Sequence, residues 1–200
     1  MKFFVYFFLL IYLPFNIQAQ SGREFLSPVS SPKASVSQNV GMTNISIDYS
    51  SPGMKGRKIF GDLVPYDNLW RAGANSPTTI SFSSEVKIGE KNIGPGTYAI
   101  AMIPRMNGQW TIDFNKAGKY PMAYRKDGKI DIDAYNKDLA HSITVSVTIW
   151  DNTIERLTYF IDANNNKVAN INMLWSDVIV SFQVDTMADE HLKRFAKTLE

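Results

Sequence analysis

Ser142-Ile143-Thr144-Val145-Ser146-Val147-Thr148-Ile149 alternates small polar and β-branched residues without a break. A period of two sends successive side chains to opposite faces, so the stretch reads as a strand with one wet and one buried face. Toward the C-terminus, Leu157, Tyr159 and Ile161 keep the rhythm, and a polar turn follows from Asp162 to Lys167. Ala169, Ile171, Met173 and Trp175 make the next strand, and Val178, Val180, Phe182 and Val184 the last. Toward the N-terminus the same alternation recurs at Trp110, Ile112 and Phe114, at Val86 and Ile88, at Ile80 and Phe82, and at Ile45, Ile47 and Tyr49. The apolar run Tyr98 to Ile103 lies between the turn Gly94-Pro95-Gly96 and Pro104. Nine or so short strands, with turns roughly every 8–12 residues and no crossover helix between them, predict an all-β fold. The expected architecture is an antiparallel β-sandwich, jelly-roll-like, over residues 34–185.

The flanks read differently. Residues 186–200 place Leu192, Phe195, Ala196 and Leu199 at helical spacing, which predicts a short C-terminal helix packed on the domain. At the other end, Lys2 precedes an unbroken apolar run from Phe3 to Leu13, and Pro14 stops it. The run is shorter than the roughly 20 residues a spanning helix needs. With Ile17-Gln18-Ala19 offering a small residue for cleavage, residues 1–19 read as a signal peptide cut after Ala19. The chain is therefore expected to be exported, periplasmic or secreted, with no membrane span in the mature protein. Residues 20–33 are rich in Ser, Gly and Pro and read as a flexible lead-in.

Composition narrows the chemistry. The 21 basic and 19 acidic residues are interspersed, leaving a formal charge of +2 and no block that would attract nucleic acid or an anionic membrane. Cysteine is absent, which removes disulfides, thiol catalysis and zinc–thiolate sites together. The two histidines, His141 and His191, stand in no metal-binding pattern and accompany no G-x-S-x-G elbow, so serine hydrolysis is not expected. His141 opens a strand and reads as a satisfied edge residue; His191 reads as a solvated one. Asp162-Ala163-Asn164-Asn165-Asn166 starts like a calcium loop, but Lys167 replaces its glycine and Met173 its terminal glutamate, so a hairpin turn explains it better. No metal or cofactor is expected. Trp150 and Trp175 lie at strand ends and read as packing residues rather than a sugar platform.

One stretch resists a strand reading. Ser51 to Pro77, SPGMKGRKIFGDLVPYDNLWRAGANSP, mixes glycines and prolines with large apolar and basic residues. Ile59, Phe60, Leu63, Val64 and Trp70 are too apolar to lie in water, so the stretch is expected to plug one end of the sandwich and present its polar residues outward. Lys55, Arg57, Asp62, Tyr66, Trp70, Arg71 and Asn75 are its candidate ligand-binding residues. Guanidinium forks suit carboxylate or phosphate, and aromatic faces suit sugar rings, so the ligand expected is a small anion or a saccharide. The alternative is a structural clamp, in which Arg57 and Arg71 pair with Asp48 or Asp62 and cap the loop's own carbonyls.

The same stretch carries a resemblance. Tyr49-Ser50-Ser51-Pro52, Lys55-Gly56-Arg57, Ile59-Phe60-Gly61, Leu63-Val64-Pro65-Tyr66 and Trp70-Arg71-Ala72-Gly73-Ala74-Asn75 resemble domain of unknown function 2911. Ser31-Pro32-Lys33-Ala34, Pro95-Gly96-Thr97-Tyr98, Ile103-Pro104 and Phe114-Asn115-Lys116 agree with it, so the likeness runs from about Ser31 to Val184. The resemblance implies an exported bacterial protein of the kind common in Bacteroidetes, and it implies no activity, because the family has none established. Members usually read Tyr-Ser-Arg-Pro where this chain has Ser51 before Pro52, so a cation is lost there. The function expected is a non-catalytic binding module. The alternatives are a glycan-directed hydrolase working through paired carboxylates, with Asp48, Asp113, Asp131 or Asp133 available, and a purely structural envelope protein. On alternation, Asp48 and Asp113 point away from the apolar faces, toward solvent.

Overall fold

A computed structural model describes residues 28–200; the expected signal peptide and the lead-in as far as residue 27 lie outside the described residues. In chain order the strands are β1 (Lys33–Val40), β2 (Thr43–Ser50), β3 (Thr78–Phe82), β4 (Val86–Ile88), β5 (Lys91–Ile93), β6 (Gly96–Ile103), β7 (Gln109–Asn115), β8 (Arg125–Lys126), β9 (Lys129–Ile130), β10 (Leu139–Asp162) and β11 (Val168–Asp185). Two helices complete the set, α1 (Ile132–Lys137) and α2 (Ala188–Lys197). The main sheet has the order β1-β2-β3-β6-β7-β10-β11-β4-β5, antiparallel throughout, and β8-β9 is a separate two-stranded hairpin.

β11 cannot be straight. Eighteen extended residues would span about 60 Å, yet the Thr186 amide donates to the Lys167 carbonyl at 2.9 Å. The Ser181 hydroxyl likewise donates to Asn172 Oδ1 at 2.6 Å. The strand therefore doubles back at Ser176-Asp177, where Ser176 takes a positive φ of 58°. β10 changes register between Ile149 and Ile154, so that its first half pairs with β7 and its later residues with the first leg of β11. These two folded strands turn the sheet over on itself into an open sandwich. The sequence reading of four separate short strands here corresponds to the four legs.

The core lies between the layers. Ile45, Ile47, Ile80, Ile100 and Ile112 of one layer meet Leu157, Ile171, Val180 and Val184 of the other in a single cluster, each with no exposed surface or almost none. Each comes from the apolar phase of an alternating stretch, so register and burial agree.

Residues 116–138 hold structure that alternation does not reveal: a 3-10 turn at Pro121–Tyr124, β8-β9, and α1, which Asp131 caps by accepting from the Ala134 amide. They cover one outer face of the sheet. Asp113, expected on the solvent side, is consequently 5% exposed and receives the hydroxyls of Tyr135 (3.0 Å) and Ser142 (2.7 Å). It faces away from the core as alternation requires, but α1 has taken the place of water. α2 is tethered by polar groups: His191 Nε2 reaches the Glu85 carbonyl, Arg194 pairs with Glu85, and Lys167 pairs with Asp189. Its large apolar residues Leu192 and Phe195, and Leu199 just beyond its end, are exposed, against the expectation that they would face the sandwich. The polar contacts of His191 and Arg194 set the rotation of the helix and turn that stripe outward.

Candidate functional site

The segment between β2 and β3 folds over one end of the sandwich. Two short bridges fix it there, Gly53 with Arg156 of β10 and Trp70 with Met102 of β6, while a third, Phe60 with Val64, closes a turn within it. Ile59, Phe60, Val64 and Ala72 are buried, whereas Leu63 is 43% exposed. Leu63 lies in a tight turn closed by amide bonds to the carbonyls of Lys58 and Ile59, which leaves it on the outer side of the plug. Gly61, at φ +85°, is required at this turn because a Cβ would stand 2.6 Å from the Tyr66 ring.

Phe60 packs edge-on against Trp70, Trp110 and Trp175, and the Trp70 and Trp175 rings stack at 5.9 Å. Beside them opens a cleft of about 400 Å³ that includes Ser31, Arg57, Trp70, Arg71, Asn75 and Trp175 in its lining. The structure thus brings four of the seven candidate residues together, Arg57, Trp70, Arg71 and Asn75. The others lie elsewhere. Tyr66 lines a smaller pocket with Arg105 and Trp110, and neither Lys55 nor Asp62 borders the cleft.

Both guanidiniums are held by the plug itself. Arg57 donates from Nε to the Met54 carbonyl (2.8 Å) and from Nη2 to the Gly53 carbonyl (2.7 Å). Arg71 donates from Nη1 to the Asn75 carbonyl (2.6 Å) and lies over the Tyr120 ring, 5.0 Å from its centre. The expected pairing with Asp48 or Asp62 does not occur; no ion pair among the described residues involves Arg57 or Arg71. Carbonyl caps orient a guanidinium and leave its charge in place. Among the described residues no carboxylate or histidine lines the cleft, so none opposes its two cations.

Two contributors escaped the sequence reading. Trp175 enters from the end of β11's first leg, 1% exposed, and its indole N–H has no hydrogen-bond partner among the described residues. A buried N–H donor left unpaired is costly, and most such groups find a partner. By contrast, the Trp70 indole donates to the Gly73 carbonyl at 3.2 Å. Ser31 belongs to the segment read as lead-in, but its carbonyl accepts from the Asn75 side-chain Nδ2 and it lines the cleft. Ser51, where family members usually carry arginine, is buried and donates to the Leu157 carbonyl at 2.7 Å, outside the cleft. His141 Nε2 meets the Ile88 carbonyl at 2.9 Å, a satisfied histidine as its edge position suggested.

Searches of curated proteins and of solved structures each return no match. A family model does match, over residues 31–184, the span that runs from the Ser31 wall of the cleft through the plug to the end of β11. The chain belongs to the family described as protein of unknown function (DUF2911).

Proposed function

We propose that this protein is an exported, non-catalytic binding module whose cleft holds a small organic anion such as a carboxylate or an acidic saccharide. The observation that carries the reading is the unpartnered Trp175 indole N–H, buried in the wall of a cleft that has two guanidiniums and no carboxylate. The arginines supply the charge complement. The Trp175 N–H is itself closed off from the cleft, and a small shift of the Trp70–Trp175 stack gives it an acceptor oxygen of the bound anion as partner. Neutral sugars fit less well: Trp175 is buried and Trp70 already stacks on it, so little ring face is left for a pyranose. With no carboxylate, histidine or lysine in the lining, the cleft has no group suited to proton transfer, which favours binding over turnover. Export rests on the first nineteen residues.

A thermal-shift series with citrate, glucuronate, inorganic phosphate and glucose tests this. An anion present at a hundred times its dissociation constant adds about 2.7 kcal/mol of stability. The shift should appear with at least one of the acids, be absent with glucose, and vanish in Arg71→Ala. The caps on the Gly53, Met54 and Asn75 carbonyls favour a second reading, a structural clamp. On that reading no anion shifts the melting temperature, and Arg57→Ala and Arg71→Ala both melt early.

A further inference from the structure

A second cavity lies away from the arginine cleft, where β10 and β11 part. β11 pairs with β10 at Val147–Val180, but the residues before Val147 on β10 and after Val180 on β11 have no ladder to one another. β10 from Leu139 to Ser146 is bonded on its other side to β7, and β11 at Asp185 turns to Lys87 of β4. The result is a wedge of about 810 Å³ with its apex at Val147–Val180, closed at the far end by the Gly89-Glu90 turn.

Strand alternation fixes which main-chain groups face it. The Val147 amide donates to Gly108 on the β7 side, so the odd residues of this stretch serve β7. Ser142, Thr144 and Ser146 therefore direct N–H and C=O into the wedge. On the opposite wall, the Thr186 amide donates to Lys167 inside the folded β11, so the even residues are used there. Ser181 and Gln183 direct theirs toward β10. Ile143, Val145 and Phe182 add apolar lining between these two rows.

The groups on offer are main-chain donors and acceptors repeating at strand spacing on two facing walls. Charge is nearly balanced, since Lys87 pairs with Glu90 at 3.5 Å, and His141 is engaged with the Ile88 carbonyl. The complement of such a surface is another main chain in extended form, with alternate apolar side chains turned to Ile143, Val145 and Phe182. We propose that the wedge is a strand-addition site that takes a short extended segment of a partner polypeptide, with apolar and hydroxyl residues alternating. It is independent of the anion reading.

The test is residue-resolved hydrogen exchange of the full protein with and without the peptide acetyl-Thr-Val-Thr-Val-Thr-amide. Alone, the Thr144, Ser146 and Gln183 amides should exchange fast while Ile143 and Val145 are protected. With peptide, the first three should slow at least tenfold, and the same peptide N-methylated at alternate residues should have no effect. Thr144→Pro, which removes a wedge N–H and no β7 bond, should lose the response while melting near the parent. If the proline variant unfolds, the methylated peptide still decides. Unchanged exchange at the wedge, equal action of the methylated peptide, or equal slowing along the outer edge of β1 would each overturn the proposal. Concentration-dependent protection without peptide would overturn it in favour of a second copy of this chain.

Discussion

Phe60 touches three tryptophan rings, and the Phe60 and Trp110 ring centres are only 4.8 Å apart. Phe60→Ala should cost about 3–5 kcal/mol, the usual range for a buried phenylalanine, read as a lower denaturation midpoint. A loss below about 1 kcal/mol, the range of ordinary surface changes, would mean that the plug is not anchored there. Asp113 responds to pH. Burial raises its carboxyl above the ordinary value, opposed in part by the Ser142 and Tyr135 hydroxyls. The native state therefore holds this proton more tightly than the unfolded chain. Its contribution to stability is full below the unfolded pKa and is lost as pH rises through the native one. The melting difference between Asp113→Asn and the parent should accordingly move in favour of the variant as pH rises above the ordinary carboxylate range, about pH 4. A constant difference would show that burial does not penalise this carboxylate. Of the cleft, Arg57, Trp70, Arg71 and Asn75 were legible in sequence because they fall in one short, strand-free stretch. Trp175 was not, because it sits a hundred residues away on an ordinary alternating strand and joins the cleft only through the fold.

Alternation located the strands well where one face meets the core and the other meets water. It failed for residues 116–138, whose elements are two to six residues long, too short to show a period. It also misjudged α2. The apolar stripe is real, but rotation was decided by the His191 and Arg194 contacts to Glu85. Leu192→Ala and Phe195→Ala should therefore each change stability by less than about 0.5 kcal/mol, as exposed positions do. A loss of several kcal/mol on chemical denaturation would place the stripe against the sandwich after all. At the fold of β11, Ser176 adopts φ 58°, a conformation that costs an ordinary residue roughly 1 kcal/mol more than glycine. Ser176→Gly should hold or raise the melting temperature, and Ser176→Val should lower it. The reverse order would mean that the strand does not double back at this residue.

At the scale of the molecule, the sandwich, the plug and the cleft are one arrangement. The two folded strands bring the end of β11's first leg under the plug, where Trp175 stacks on Trp70. The plug in turn holds Arg57 and Arg71 by its own carbonyls at the cleft wall. The sequence contains no hint of that juxtaposition, since it depends on pairing between residues far apart in the chain. The measurement to make is an NMR titration of the four tryptophan indole N–H signals with citrate, glucuronate and phosphate, the Trp175 signal being assigned by its loss in Trp175→Phe. If the cleft binds anions, the Trp175 signal should move downfield and saturate with at least one acid, Trp150 should stay in place, and Arg71→Ala should abolish the shift. If the Trp175 signal is indifferent to all three, or moves as much without Arg71 as with it, the arginines are a clamp and the cleft is not an anion site.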